Sequence, residues 1–415
     1  MAWRWTHENR AMVILCLGGG VAALDAQALF YLSPFVMRDL GVTNTQIGLL
    51  SAAVLVTWAL SGFASSVLTD QLGGRKKYVV GAFALFGAFS FVSGLAKSFL
   101  VLFLARMLIG VAEGPIVPLT QSIMMDESSP HRRGMNMGVV QSFGSQLIGS
   151  SLSPVLLVFF ATLFSWRSAF FLAGVPGICV AILIMIFIRE PRRAHAVRAP
   201  GRALSRIASQ IRGLFGYRNI RLCAVLSCFL NAWYFGTLTF LPLYLVRFLH
   251  FTPRQMSMVL ACSGVGAVLS AVIVPMLSDR FGRRPIMVIF ALIGAIGPLG
   301  AVTAPAGLLK IACLMFVGSW AQGLLPLCIG TVPLESVPNK DATASGLMML
   351  TGMIAGGIAG PAAFGYLADA YDLSVPLWGC AGAAIIAALI CSRLTETAPA
   401  LAGKAGTSIA VRSLS

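Results

Sequence analysis

Twelve windows of about 20 mostly apolar residues run along this 415-residue chain, and they leave few folds open to it. They fall at 11–36, 46–68, 77–96, 99–124, 136–162, 169–188, 222–246, 256–278, 286–304, 308–331, 345–368 and 374–392. Each is long enough to cross a bilayer as a helix, and none shows the strict alternation over about 10 residues that a barrel strand would need. Composition agrees: 58% of residues are hydrophobic and only 11% are charged, where a soluble domain carries about 25%. Too little polar surface remains to coat a soluble particle of this size. The chain reads as an all-α integral membrane protein. Arg4 and Arg10 precede the first window as they would a signal peptide. That window is too long for a signal core and has no clear small-x-small cleavage site, so it is expected to stay as a helix.

The charge balance then fixes orientation. The formal net charge is +16, from 30 Lys+Arg against 14 Asp+Glu. Sorted by loop, 23 basic residues fall on one side, six on the other, and Arg106 lies inside a window. Basic residues accumulate in cytoplasmic loops, so the richer side, with both termini, is cytoplasmic. The charge is therefore a mark of topology, not an adhesive for nucleic acid. Nine of the 23 fall in one central polar stretch that separates six windows from six. The expected organisation is a six-helix bundle over 1–189, a basic cytoplasmic linker over 190–221, a second bundle over 222–393 and a disordered tail over 394–415. Within the linker, 203–216 has the composition of a basic amphipathic helix lying on the inner leaflet, and a solvated connection is the competing reading.

The two halves repeat each other. Glu127-Ser-Ser-Pro130 recurs as Glu335-Ser-Val-Pro338. The loop Asp70-Gln-Leu-Gly73-Gly-Arg75-Lys76 recurs as Asp279-Arg-Phe-Gly282-Arg283-Arg284. Arg38, Leu40, Thr43 and Gln46 recur as Arg247, Leu249, Thr252 and Gln255. The offset is 208 or 209 residues in each case. Two halves in parallel orientation, rocking about a site near the membrane midplane, is the architecture such a repeat implies.

On these residues the sequence resembles the major facilitator superfamily, whose loop consensus is Gly-x-x-x-Asp-Arg-x-Gly-Arg-Arg/Lys. The second copy matches at Asp279, Arg280, Gly282, Arg283 and Arg284. The first keeps Asp70, Gly73, Arg75 and Lys76, with Gln71 and Gly74 where Arg is usual. Ser66 and Pro275 stand in place of the leading Gly. The resemblance implies the major facilitator fold, with twelve transmembrane helices in two pseudo-symmetric six-helix bundles, and assigns these loops to a conformational latch.

Three ionisable residues lie well inside windows: Asp25 in the first, and Arg106 and Glu113 in the fourth. A charge at a helix centre costs about 2.5–3.5 kcal/mol on the insertion scale, so such residues commonly line a pathway or pair with one another. Seven residues separate Arg106 from Glu113, which returns them to one helix face, with Gly110 and Gly114 nearby to admit a neighbouring helix or a ligand. A cluster that merely fixes helix packing is the plain alternative. The functional reading is a proton site plus an anion clamp. Low dielectric favours a neutral carboxyl, whereas Arg stays charged and offers a fork to carboxylate or phosphate.

The run Arg106-x-x-x-Gly110-x-x-Glu113-Gly114-Pro115-x-x-Pro118, with Asp25, is similar to the anion:cation symporter family. That resemblance places the protonatable acids at Asp25 and Glu113 and a substrate arginine at Arg106. Many members have Arg after the first-helix Asp; here Ala26 stands there, which leaves the substrate class open. Gln146 is a further candidate, since a buried amide needs partners. The second half has no matching charges and offers Asn231, Trp233, Tyr234, Trp320 and Gln322, with ordinary packing as the competing reading for each.

No phosphate-binding Gly-x-x-x-x-Gly-Lys-Ser/Thr loop is present, and no Cys-x-x-Cys pair or Ser/His/Asp arrangement, so neither an ATP-driven pump nor a membrane enzyme is expected. The expected activity is proton-coupled symport of a small organic anion, such as a sugar acid or an aromatic acid, by a monomer in a bacterial inner membrane. No cofactor is expected, a proton gradient supplies the energy, and the lipid bilayer is the other partner. A spinster-like lysolipid exporter and a drug:proton antiporter on the same fold are the alternatives.

Overall fold

The computed structural model describes residues 6–72, 74–129, 132, 136, 139–190, 213–304, 307–337 and 342–398. Its spanning helices are α1 (His7–Leu40), α2 (Asn44–Leu72), α3 (Arg75–Gly94), α4 (Phe99–Glu127), α5 (Ser145–Leu163) and α6 (Trp166–Phe187) in the first half. The second half contributes α7 (Arg218–Arg247), α8 (Pro253–Phe281), α9 (Arg283–Thr303), α10 (Leu308–Ser336), α11 (Ala344–Ala370) and α12 (Ser374–Cys391). No strand occurs among the described residues. Most of the linker (191–212), the tail from 399 and Gly73 lie outside the described residues.

Local sequence explains where the helices begin and end. Thr43 and Gln46 form a capping box at the start of α2: Gln46 N–H donates to Thr43 Oγ1 at 3.2 Å and Thr43 N–H to Gln46 Oε1 at 2.9 Å. Thr252 and Gln255 repeat it at α8, at 3.3 and 2.9 Å. The repeated Thr-x-x-Gln of the sequence is thus a pair of helix starts, each satisfying two orphan donors. Just upstream, α1 ends on Gly41 at φ 62°. Its counterpart after α7 is His250, at φ 55° the sole non-glycine with positive φ among the described residues. Pro34 inside α1 withholds an N–H from the Phe30 carbonyl; Ser33 Oγ donates to that carbonyl instead, at 2.8 Å.

By internal contacts the chain divides into two compact units, Met1–Arg198 with Pro242–Val265, and Ala199–Leu241 with Gly266–Ser415. In the first, α1, α3, α4 and α6 share a core that includes Leu15, Phe83, Phe86, Ile116 and Ile184. In the second, α7, α9, α10 and α12 close around Leu230, Met287, Ala291, Leu324 and Ala384. Polar ties in the terminal turns of the spans sort by side. On the cytoplasmic side His7 pairs with Glu127 at 2.8 Å and Arg75 with Asp126 at 3.5 Å. On the outer side Arg167 pairs with Asp39, to which Trp166 Nε1 also donates at 3.0 Å.

Candidate functional site

Asp25, Arg106 and Glu113 are all buried, the first two completely. Arg106 reaches from α4 to α1. Its Nη1 donates to Asp25 Oδ2 at 3.1 Å, and its Nη2 to the backbone carbonyls of Asp25 at 3.1 Å and Ala26 at 3.4 Å. The guanidinium carbon stands 5.6 Å from the centre of the Phe170 ring on α6, a distance at which the ring face attracts the cation. Arg106 Nε is buried without a partner among the described residues. The other oxygen of Asp25 accepts from Ser90 Oγ on α3, and that hydroxyl also lies 2.9 Å from the Phe170 carbonyl. Four helices thus converge on one ion pair.

Ser90 gives this pair a property that the sequence does not advertise. A hydroxyl has one proton to donate and lone pairs with which to accept. With Asp25 ionised, Ser90 donates to it. With Asp25 protonated, the acid donates to Ser90, whose proton turns to the Phe170 carbonyl. Both protonation states of Asp25 are hydrogen-bonded without moving a helix.

Glu113 ends the first segment of α4, Phe99–Glu113, and the second, Ile116–Glu127, follows after Gly114 and Pro115. Pro115 and Pro118 cannot donate to the carbonyls of Val111 and Gly114, which accounts for the break. Glu113 Oε1 is buried and has no partner among the described residues. The structure therefore brings Asp25 and Arg106 together and leaves Glu113 near the break without a bond at that oxygen. The glycines on the same stripe serve packing. A Cβ on Gly110 would lie 2.1 Å from Thr57 Oγ1, and one on Gly114 1.9 Å from Ser61 Oγ, so both admit α2 and not a ligand.

Gln146 lies in α5 where the helix widens over Ser145–Leu152 into π-type turns. Ser150 Oγ donates to its Oε1 at 2.9 Å, Gln27 Nε2 lies 3.4 Å from Ser150 Oγ, and Tyr31 OH donates to Gln27 Oε1. Sequence reading missed Gln27, Tyr31 and Ser150 because neutral polar residues scattered over two windows carry no spacing signal.

In the second unit, Trp233 is buried and donates its Nε1 to the Gly294 carbonyl at 2.9 Å, a packing role. Asn231 donates to the Ser227 carbonyl one turn back at 2.8 Å. Tyr234 packs edge-on against Phe235, and Trp320 stacks on Phe290. Gln322 Oε1 is buried without a partner among the described residues. No described contact gathers Asn231, Tyr234 and Gln322 into one cluster.

The loop residues form a tight polar knot at the cytoplasmic end of the second unit. Arg283 bonds Asp279, Glu335 at 2.8 Å and Ser278 at 2.6 Å. The carboxylate of Glu396 accepts from the backbone N–H groups of Arg283 at 2.7 Å and Arg284 at 3.1 Å, where the helix dipole favours a negative charge. Among residues that composition assigns to the tail, Thr397 Oγ1 donates to Glu335 at 2.7 Å, and Thr395 N–H donates to Asn219 Oδ1 on α7 at 3.0 Å. Gly282 precedes α9 at φ 102°, and Arg280 lies over the Phe281 ring. In the first unit the Lys76 N–H approaches Glu190 Oε1 at 3.4 Å, the same device in looser form. The Asp70 side chain lies outside the described residues.

Comparison with known proteins decides the family. A family model described as Major Facilitator Superfamily matches residues 15–359 and, in a second match, 245–412. The chain belongs to the Major Facilitator Superfamily. It is 25% identical over 403 residues to a probable sulfoacetate transporter of Cupriavidus necator, covering 91% of this chain and 92% of that one. It is 28% identical to a probable 4-methylmuconolactone transporter of Cupriavidus pinatubonensis (79% and 76% covered) and 25% identical to the hexuronate transporter of Bacillus subtilis (86% and 87%). Among solved structures, a D-xylose–proton symporter superposes with a TM-score of 0.76 at 18% identity, covering 95% of this chain and 99% of that one. An inward-facing bacterial homologue of the lysosomal transporter Spinster gives 0.71 at 17%, covering 94% and 95%. These likenesses fix the fold. The chain is a multi-pass membrane transporter of this superfamily, not an enzyme.

Proposed function

We propose that this protein is a proton-coupled symporter of a small organic anion, acting by alternating access as a monomer in a bacterial inner membrane. The relatives named for sulfoacetate, 4-methylmuconolactone and hexuronate support the anion class. The observation that carries the reading is the fully buried Asp25–Arg106 pair. In the empty carrier Arg106 is occupied by an internal carboxylate. A proton arriving at Asp25 neutralises that partner, and the freed guanidinium takes the substrate carboxylate, a charge-assisted bond of the strong kind. Glu113, a second buried acid one helix break away, is the other proton site. Proton and anion enter together because either alone leaves an unpaired charge in low dielectric. The polar knot at Asp279, Arg283 and Glu335, and its first-half counterpart at Arg75, act as the cytoplasmic latch.

The test uses protein reconstituted in liposomes, with galacturonate as the probe. Asp25→Asn fixes the acid in its neutral form. Galacturonate exchange across the membrane at equal pH is expected to persist in this variant, while accumulation driven by an imposed pH gradient is lost. Undiminished uphill accumulation by Asp25→Asn would remove Asp25 from the coupling step.

A further inference from the structure

At the cytoplasmic end of the first unit, three carboxylates meet three bases among the described residues. Arg75 on α3 pairs with Asp126 at 3.5 Å, Arg132 in the α4–α5 connection with Glu8 at 3.8 Å, and His7 with Glu127 at 2.8 Å. Arginine keeps its charge at any pH a cell meets. Imidazole is the side chain whose charge changes between about pH 5 and 8. Two of the three ties are therefore permanent. The third, between the first residue of α1 and the last of α4, is not.

The internal repeat shows how this tie departs from its counterpart. Glu127 recurs as Glu335, whose carboxylate is gripped by Arg283 through Nε at 3.2 Å and Nη2 at 2.8 Å. Counting back 209 residues from Arg283 gives Gly74, at φ 73°, a backbone conformation that disfavours any larger side chain. Counting forward by the same offset from His7 gives Gly216. The base that meets the carboxylate comes from the start of α9 in the second unit and from the start of α1 in the first. Each unit has glycine at the position the other uses. The carboxylate is kept, and its partner has changed from a fixed cation to a titratable one. Thr6 Oγ1 accepts from Asn9 N–H at 3.3 Å, so the turn that carries His7 is itself capped. The His7 and Glu127 side chains are 25% and 18% exposed. Solvent screens such a pair less than a surface one and still leaves the ring open to cytoplasmic protons.

We propose that His7 and Glu127 make the first-unit latch a sensor of cytoplasmic pH, which tightens as the cytoplasm acidifies. With the ring protonated the tie is an ion pair with a charge-assisted hydrogen bond; with the ring neutral only the hydrogen bond is left. Glu127 and Asp126 on α4 and Glu8 on α1 favour the imidazolium. Arg75 on α3, Arg132 in the connection, Arg10 on α1 and the positive end of the α1 dipole oppose it. Asp126 with Arg75 and Glu8 with Arg132 offset each other in pairs, and Arg10 is exposed to solvent, so Glu127 decides the balance. Residues 1–5, His131 and Arg133 lie outside the described residues. Under the function proposed above, each imported anion brings a proton into the cytoplasm. A latch that must yield in every cycle yields more slowly once this tie is charged, so the sensor acts as a brake. The inference rests on the latch reading of these loops and not on the identity of the substrate.

The test compares the wild type with His7→Gln, which keeps a hydrogen-bond donor without charge, and His7→Arg, which is charged throughout. Thermal unfolding in detergent, without substrate, reads the tie itself. At about pH 6 His7→Gln is expected to unfold about 2 °C below the wild type, and at about pH 8 to match it. His7→Arg should match the wild type at the lower pH and exceed it at the higher. In a Glu127→Gln background the difference between His7 and Gln should vanish at both. Equal-pH exchange of galacturonate in proteoliposomes reads the brake, and the ratio of variant to wild type removes the pH dependence that the buried acids give to every carrier. At the lower pH His7→Gln should exchange about threefold faster than the wild type, with parity at the higher. A loss of stability in His7→Gln that is equal at the two pH values, or absent at both, overturns the sensor. The expected unfolding profile with an unchanged exchange ratio overturns the brake. Exchange by none of the carriers defeats the anion reading, and the unfolding profile then still decides the sensor.

Discussion

Arg106 has five N–H groups, and three described hydrogen bonds draw on two of its nitrogens. That geometry depends on a planar fork. Lysine would bring the same charge as a single point and, once Asp25 is neutral, could not hold two backbone carbonyls and a substrate carboxylate at once. Arg106→Lys is therefore expected to weaken galacturonate binding about a hundredfold, or ~3 kcal/mol, the worth of one or two charge-assisted bonds. Isothermal titration of purified protein checks this. Asp25, Arg106 and Glu113 were legible in the sequence because an ionisable group in an apolar run has a cost that demands a reason. Ser90 was not. Hydroxyls in spanning helices usually bond a carbonyl of their own helix, as Ser51 does to Ile47, Thr57 to Ala53 and Ser65 to Gly62. Ser90 reaches instead to α1 and α6, and nothing in its flanking residues distinguishes it from those others.

At the scale of the element, the repeated residues carry the argument. Thr43/Gln46 and Thr252/Gln255 are recognisable as a repeat from sequence, and the structure supplies the cause, a capping box at each helix start. The break in α4 was half-legible: two prolines and a glycine follow Glu113, yet a hydropathy window runs straight across them. The widening of α5 around Gln146 was not legible, since π-type turns leave the apolar pattern nearly unchanged. Helix packing gives a further prediction. A Cβ on Gly114 would fall 1.9 Å from Ser61 Oγ and 2.4 Å from the Trp58 carbonyl, while one on Gly81 meets nothing within 4 Å. Gly114→Ala must push α4 away from α2, and a destabilisation of about 1–3 kcal/mol is expected from overpacking. Thermal unfolding in detergent should show a lowered midpoint for Gly114→Ala and an unchanged one for Gly81→Ala.

Across the whole molecule, the surface confirms what composition demanded. Leu60, Leu95, Leu163, Ile186, Leu309 and Leu389 are largely exposed, which in water would be an invitation to aggregate and in hydrocarbon is the ordinary outer face of a span. The number of spans and their family followed from length, hydropathy and the repeated loops. Two cytoplasmic struts did not. Glu190 and Glu396 follow the last span of each half in segments that read as linker and tail, yet both carboxylates meet the N-terminus of the helix after a repeated Asp-to-Arg loop. Their role comes from the meeting of chain segments more than 110 residues apart, and no local pattern records it. The central claim, that a proton moving onto the buried acids drives anion uptake, is a property of the intact carrier in a sealed membrane. Proteoliposomes with an alkaline interior, given external galacturonate, test it most directly, with uptake and external pH followed together. The account predicts accumulation above the external concentration, a matching external alkalinisation, and collapse of both on adding a protonophore. Accumulation that survives the protonophore, or galacturonate entry with no proton movement, would contradict it.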